Sequence, residues 1–146
     1  MISLSEHQFF WRVNNIFGSI LQNYGFEIRE EGNKLVVAQR GDIELIFLVE
    51  VSYLEYFFSL AIKISGELGR KATTDVDNRN RRLDIITIAH CLNPNYEFTP
   101  KKIRTEEDLA EVMEDRKEVL IKYCKDMLLG DVSLWQDVVD CWTERR

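Results

Sequence analysis

The feature that most constrains the fold of this chain is a change in the spacing of its apolar residues at Gly25. Before Gly25, apolar side chains recur at the i, i+3, i+4 and i+7 positions of one helical face. After it they alternate with polar side chains, which is the period of a strand with one buried face. The chain therefore begins with an amphipathic helix and continues with a sheet. The helical positions are Phe9, Val13, Ile16, Phe17, Ile20, Leu21 and Tyr24.

Sequence signals mark both ends of this first helix. Ser3 is followed three residues later by Glu6, which is the spacing of a capping box. Ser5 and Gln8 repeat that spacing. At the other end, Gly25 is the residue type that most easily takes the left-handed conformation after a helix. We therefore expect the helix to end just before Gly25.

Four alternating segments follow the first helix. Turn signals at Gly32-Asn33 and Gly41-Asp42 separate the first three. Short connections between successive strands predict an antiparallel meander. The third and fourth segments also carry apolar residues on their second face, so we expect the C-terminal helices to cover that face in part. The segments are Phe26–Glu31, Leu35–Ala38, Ile43–Val51 and Tyr56–Ile64.

The next part of the chain contains a loop and an ambiguous apolar segment. Residues 65–80 have two glycines, charges of both signs and no apolar periodicity, which predicts a long loop. Residues 83–92 fit either a helix or a strand. The possible caps Asp77 and Asn78, together with the stop signal at Pro94, favour a helix.

Two further helices are marked by their caps. Thr105 with Asp108 opens one of them, and Gly130 ends it. Ser133 with Gln136 opens the last. Together these signals predict a single α+β domain over residues 1–146, with an N-terminal helix, a four-stranded antiparallel meander and about three C-terminal helices.

Composition limits the cellular setting. Of the 146 residues, 45% are hydrophobic and 30% are charged, which is typical of a globular protein without a membrane span. The start of the chain has neither the basic nor the apolar region of a secretory signal, so we expect a cytoplasmic location. Cys91, Cys124 and Cys141 lie in apolar helical patterns and are predicted to be reduced core residues, in keeping with that compartment.

The net charge and the residue inventory exclude several functions. A net charge of −6 disfavours nucleic acid as a partner. The only histidines are His7, predicted to be a solvated surface residue, and His90, so no metal site or other cofactor is expected. Neither a nucleophile elbow nor a phosphate-binding loop is present. We therefore predict that the chain is not an enzyme.

Two sets of surface residues are candidates for partner binding. The first is an acidic set on the helix opened by Thr105, which either forms an ordinary solvated face or docks a basic partner. The second is a group of crowded aromatic residues that cannot all face the core. The basic residues Lys101, Lys102 and Arg104 are interpreted as loop solvation. The candidates are Glu107, Glu111, Glu114 and Asp115 in the acidic set, and Trp11 and Tyr53 in the aromatic group.

The C-terminal part of the chain resembles small bacterial α+β proteins. The resemblance lies in the order of an N-terminal helix, a four-strand meander and helices that end in the segment Tyr123–Trp135, and the string LGDVSLW from Leu129 to Trp135 carries most of it. Some of the proteins that it resembles are similar to immunity proteins of toxin systems. The resemblance implies a cytoplasmic protein that binds and neutralises a toxin, and it transfers no functional residues.

Three hypotheses follow. The leading one is a protein-binding module, in which acidic and aromatic residues contact a basic toxin domain. The alternative is a small-molecule-binding or enzymatic domain with a pocket between sheet and helices, and a homo-oligomeric subunit is the third. The pocket of the alternative would be lined by Tyr56, Phe58, Trp135 and Trp142.

Overall fold

The first helix forms where its periodicity places it. The computed structural model describes residues 7–52, 55–74 and 81–144. Helix α1 (Gln8–Asn23) buries Phe9, Val13, Phe17 and Leu21, and Gly25 follows it with a φ of 83°, as predicted.

The start of α1 differs from the expectation. His7 occupies the N-cap with a left-handed φ of 67°, and its side chain does not cap the helix. Its Nδ1 lies 2.6 Å from Oε1 of Glu30, so this half-exposed ring is a link to the sheet rather than a purely solvated residue. The predicted caps Ser3 and Ser5 lie outside the described residues.

The predicted meander is present and has one strand more than expected. The sheet is antiparallel with the order β1-β2-β3-β4-β5. Its fifth strand pairs with β4, from Ala61 opposite Asp84 to Lys63 opposite Arg82. The strands are β1 (Glu27–Gly32), β2 (Leu35–Arg40), β3 (Ile43–Ser52), β4 (Glu55–Ile64) and β5 (Arg82–Asp84).

The ambiguous segment 83–92 is part strand and part helix. Leu83 lies in β5, whereas α3 spans Ile85–Leu92. Asp84 caps α3, because its carboxylate accepts a hydrogen bond of 2.8 Å from the N–H of Ile86. The helix was therefore predicted correctly in kind but begins later than expected. The expected caps, Asp77 and Asn78, lie outside the described residues.

A short helix occupies part of the predicted loop. Helix α2 (Gly66–Ala72) begins with Gly66 at a φ of 60°. The Asp42 carboxylate accepts a 3.2 Å hydrogen bond from the N–H of Leu68. A Cβ added at Gly69 would lie 2.9 Å from the Ile64 carbonyl oxygen, so this glycine permits close packing of α2 against β4.

The last two helices complete the fold. Thr105 and Asp108 form the predicted capping box of α4 (Glu106–Leu128), and Gly130 follows with a φ of 100°. Helix α5 spans Trp135–Glu144, so it begins two residues beyond the predicted cap at Ser133. The Asp131 carboxylate accepts a hydrogen bond of 3.1 Å from the N–H of Ser133 and orders the turn before α5.

The five helices contribute apolar side chains to one face of the sheet. This core includes Phe47 and Leu60 from the sheet and Trp135 from α5. On the other face, Val37 and Ile46 pair across β2 and β3 and are buried, but they lie outside that core. The expectation that C-terminal helices cover the second face is therefore wrong. Alternation places the large apolar residues on the first face, and the helices follow them.

The cysteine prediction is wrong for two of the three residues. Cys91 of α3 and Cys141 of α5 form a disulfide with a Cα–Cα distance of 5.8 Å. Cys124 is free and buried in the core, as expected. Structural disulfides persist in oxidising compartments and are rare in the cytosol. The cysteines therefore no longer support a cytoplasmic location.

We predict that thiol counting will detect this disulfide. Protein alkylated at lysis and then denatured without reductant should expose one unreacted thiol, Cys124, because burial shields it and raises its pKa to about 12 in the folded chain. Reduction should then expose Cys91 and Cys141 as well. Because the bond closes a loop of 50 residues, its loss should lower the free energy of unfolding by about 4 kcal/mol.

A double variant controls for the reductant itself. Cys91→Ser combined with Cys141→Ser should unfold at the same urea concentration with and without reductant. If reduction exposes no thiol beyond Cys124 in the wild-type chain, the disulfide is absent from the cellular protein.

Candidate functional site

Four predicted acidic site residues lie on the outward side of α4. Glu107, Glu111, Glu114 and Asp115 are all exposed, and we call them the acidic face. Their side of the helix is opposite the stripe that enters the core. Glu118, one turn after Glu114, is also exposed and extends the face beyond the prediction. Its spacing of i+4 from Glu114 was a signal available in the sequence.

Basic side chains neutralise part of the acidic face. Lys101 forms an ion pair with Glu111, Arg116 lies 2.5 Å from Asp115, and Lys117 lies 4.0 Å from Glu114. No ion pair involves Glu107 within the described part of the chain. Lys101, from the loop before α4, is therefore paired with a carboxylate as well as exposed to solvent. The three ion pairs divide the acidic face into a paired flank near Lys101 and an open first turn at Glu107.

The segment before α4 is itself tied down by charge. Lys102 and Arg104 both contact the Glu55 carboxylate, at 3.3 and 3.4 Å. The hydrogen bond from Lys102 is the main cause that holds the pKa of Glu55 below its usual value. Lys101, Lys102 and Arg104 are thus positioned against carboxylates, which corrects their interpretation as loop solvation alone.

The two predicted aromatic site residues have different outcomes. Trp11 is 72% exposed on α1, while Tyr53 lies outside the described residues. Glu106 of α4 lies 3.0 Å from the Arg12 guanidinium and accepts a 3.1 Å hydrogen bond from Gln8. These contacts hold the N-terminal ends of α1 and α4 together. The structure therefore places Trp11 and the open turn at Glu107 at the same end of the molecule.

Sequence reasoning missed a groove on the other flank of α4. It has a volume of about 420 Å³ and lies between the start of β4, the segment before α4 and α4 itself. Phe57 is 53% exposed and Phe98 is 37% exposed at this groove. A small indentation that contains Glu111 and Asp115 shares Lys101, Val112 and Arg116 with it. We call it the aromatic groove; it is lined principally by Phe57, Phe58, Phe98, Ile103, Val112 and Arg116.

Arg116 is the central polar residue of the aromatic groove. Its side chain is only 10% exposed although it carries a full charge. The Phe98 ring lies over the guanidinium, with 4.8 Å between the ring centroid and Cζ, in cation–π geometry. Asp115 accepts a hydrogen bond from Nη1 at 2.5 Å. No local pattern in the sequence distinguishes Arg116, because it lies within the general charge pattern of α4.

A polar cluster lies behind Arg116. Burial is the largest effect on Asp84 and raises the pKa of its carboxyl, while the charge of Arg116 opposes that shift. Burial also raises the pKa of Tyr96. The Tyr96 ring packs edge-on against His90 and Tyr123, at centroid distances of 5.1 and 5.7 Å. The His90 ring is therefore packed against the Tyr96 ring, which is a structural contact.

In the described part of the chain, the four residues of the pocket hypothesised from sequence have different surroundings. Trp135 is 1% exposed and belongs to the core. Trp142 has the Arg81 guanidinium over its ring at 4.4 Å. Phe58 alone among the hypothesised lining residues contributes to the aromatic groove, while Tyr56 pairs with Ile103 in an isolated bridge.

The described part of the chain has neither a metal cluster nor a membrane-crossing helix. Among residues 7–52, 55–74 and 81–144, no three His, Cys, Asp or Glu side chains converge so as to hold a metal ion. None of the described helices combines the length and the apolarity that a membrane crossing requires.

No protein-family model, no curated protein and no solved structure matches this chain. Its function is therefore inferred from its own surfaces, namely the acidic face with Trp11 and the aromatic groove.

We predict that Asp84 makes stability depend on pH. Its folded pKa is raised, so the unfolded chain loses this proton first as the pH rises. The free energy of unfolding therefore falls between the ordinary aspartate pKa, about 3.9, and the raised folded value, and the loss is complete above it. Asp84→Asn keeps a capping oxygen and removes the titration. Relative to this variant, the wild type should lose stability through that window.

Urea unfolding of both proteins from pH 3 to 8 measures the difference, since the other carboxylates largely cancel in the comparison. A difference that stays constant with pH would show that Asp84 has an ordinary pKa in the folded chain.

Proposed function

We propose that this chain is a non-enzymatic protein-binding module of the immunity type, which occupies the basic surface of a toxin domain. The supporting observation is that the exposed Trp11 lies at the same end of the molecule as the open first turn of the acidic face, because Arg12 and Gln8 of α1 contact Glu106. Exposed tryptophans are enriched among the residues that dominate binding energy. Carboxylates around such an anchor accelerate encounter with a basic partner and disfavour acidic ones.

The electrostatics of α4 favour a basic partner. Glu107 and Glu111 lie one turn apart, as do Glu114 and Glu118, and each like-charge pair costs about 0.2–0.5 kcal/mol in an isolated helix. Lys101 and Lys117 offset this repulsion only in part, since they pair with Glu111 and Glu114. Basic side chains of a partner would relieve the remainder on binding.

The first-turn position of Glu107 also serves the helix itself. Acidic residues near a helix N-terminus interact favourably with the helix dipole, so an acidic first turn is compatible with stability. This dual role explains how a cluster of carboxylates is tolerated on an isolated chain. It also means that substitutions must be matched for their effect on stability.

The cellular location remains a prediction. The resemblance to immunity proteins favours the cytoplasm, whereas the disulfide between Cys91 and Cys141 favours an oxidising compartment. A partner that is itself secreted or periplasmic would reconcile protein binding with that disulfide.

We predict that substitutions on this surface weaken or slow binding to the proposed toxin, for which the product of the adjacent gene is the candidate. Trp11→Ala should weaken the affinity about 30-fold, the effect of losing a hot-spot residue. Glu107→Lys combined with Glu114→Lys should lower the association rate about tenfold at low salt, and the effect should shrink as salt screens the charges. Calorimetry and surface plasmon resonance measure the two quantities.

The matched control carries the same charge change elsewhere. Glu27→Lys combined with Glu144→Lys alters two exposed carboxylates away from α4 and should leave the association rate within twofold of wild type. The proposal is wrong if the adjacent gene product does not bind at micromolar concentration, or if the control pair and the α4 pair slow binding equally. A defined homo-oligomer in light scattering that Trp11→Ala dissociates would assign the surface to self-association instead.

A further inference from the structure

Arg116 has two guanidinium nitrogens whose N–H groups donate to no group in the described part of the chain. Its Nη1 donates to Asp115, and no hydrogen bond within the described chain involves Nε or Nη2. Neither of these nitrogens is sealed from solvent, although the side chain is nine-tenths buried. Arg116 lines the aromatic groove and the small indentation that adjoins it, so the two nitrogens can be reached from this flank of α4.

The two free donors form one edge of the guanidinium. Nε–H and Nη2–H point the same way, and this fork matches the two oxygens of a carboxylate. Asp115 occupies the other side through Nη1, so it leaves the fork open. Phe98 covers a face of the guanidinium and limits competition from water.

The remaining walls of the groove are mostly apolar. Phe57, Phe98 and Val112 offer surface for a hydrocarbon body, and the volume of about 420 Å³ falls in the range of small-molecule sites. The two lysines at the rim, Lys101 and Lys102, are already paired with carboxylates. Of these three cations, Arg116 alone has a planar fork of donors, which matches a carboxylate better than a lysine ammonium does.

The geometry disfavours an extended peptide as the occupant. A peptide that added a strand here would need a free edge of β4. That edge is taken by Ile103 at Tyr56 and by β5 at Ala61–Lys63, and Leu60 between them is fully buried. A compact molecule that reaches Arg116 from the open side meets no such obstacle.

We propose that the aromatic groove binds a small organic carboxylate with an apolar body, which Arg116 holds through Nε and Nη2 while the hydrocarbon part packs between Phe57 and Phe98. The site adjoins the paired flank of the acidic face through Asp115, but Trp11, Glu107 and Glu114 do not line it, so it stands independently of the proposed toxin binding.

The test uses 3-phenylpropionate as the probe and 3-phenylpropionamide as its neutral analogue. Amide chemical shifts of the intact ¹⁵N-labelled chain should move at Phe57, Phe98 and Arg116 with the carboxylate. We expect a Kd on the order of 1 mM for a probe of this size. The amide should bind at least tenfold more weakly, because it lacks the charge that the Arg116 fork recognises.

Three variants assign the contacts. Arg116→Met keeps much of the volume and should abolish the preference for the carboxylate. Phe57→Ala changes an exposed residue, so it should fold normally and weaken binding a few-fold even if Arg116→Met does not fold. Lys125→Met removes an exposed charge from the same helix outside the groove and should leave the Kd unchanged.

Equal binding of acid and amide would overturn the proposal, as would shifts that map elsewhere or wild-type affinity in Phe57→Ala. None of these three results bears on the toxin-binding variants, whose residues do not line the groove.

Discussion

The structure depends on the packing of large apolar side chains against one face of the sheet. β3 and β4 pair along their full length, and strand alternation places Leu45, Phe47, Leu60 and Ile62 on the same side. Burying each such side chain contributes about 1.5–3 kcal/mol, so the helices collect where these residues lie. The second face keeps only a short buried strip at Val37 and Ile46, outside the helix-packed core.

Both candidate binding surfaces arise from the placement of α4 on that core. One flank of the helix meets α1, where Arg12 contacts Glu106, and the other meets the preceding segment, where Lys101 contacts Glu111. The outward side remains acidic. The aromatic groove forms between α4, the segment before it and the start of β4, where alternation turns Phe58 toward the core and leaves Phe57 exposed on the other face of the sheet.

Arg116 illustrates how a charge becomes available for binding within a packed helix. Burial of a cation is costly unless it is paired, and here the compensation is uneven. Asp115 accepts a hydrogen bond from Nη1, and the Phe98 ring covers one face of the guanidinium. The charge of Arg116 also lowers the pKa of Asp84, although burial has the larger effect and raises it. The unused edge of the guanidinium is therefore the least compensated part of the cluster.

Local signals in the sequence determined much of the architecture. Period and capping residues predicted α1, four strands and α4, because each depends on neighbours within a few residues. Gly25 and Gly130 marked helix ends for the same reason. The exposure of Trp11 and of the acidic face also followed from helical spacing, which assigns one side of a helix to solvent.

Only the tertiary structure decided the remaining features, because each depends on residues that are distant in sequence. Strand β5 has only three residues, too few for a recognisable alternation, and it forms by pairing with β4. Helix α2 packs closely on the end of β4 because Gly69 has no side chain. Cys91 and Cys141 are 50 residues apart and meet only when α3 and α5 pack together. The groove likewise joins β4, the segment around Phe98 and Arg116, so no local pattern encodes it.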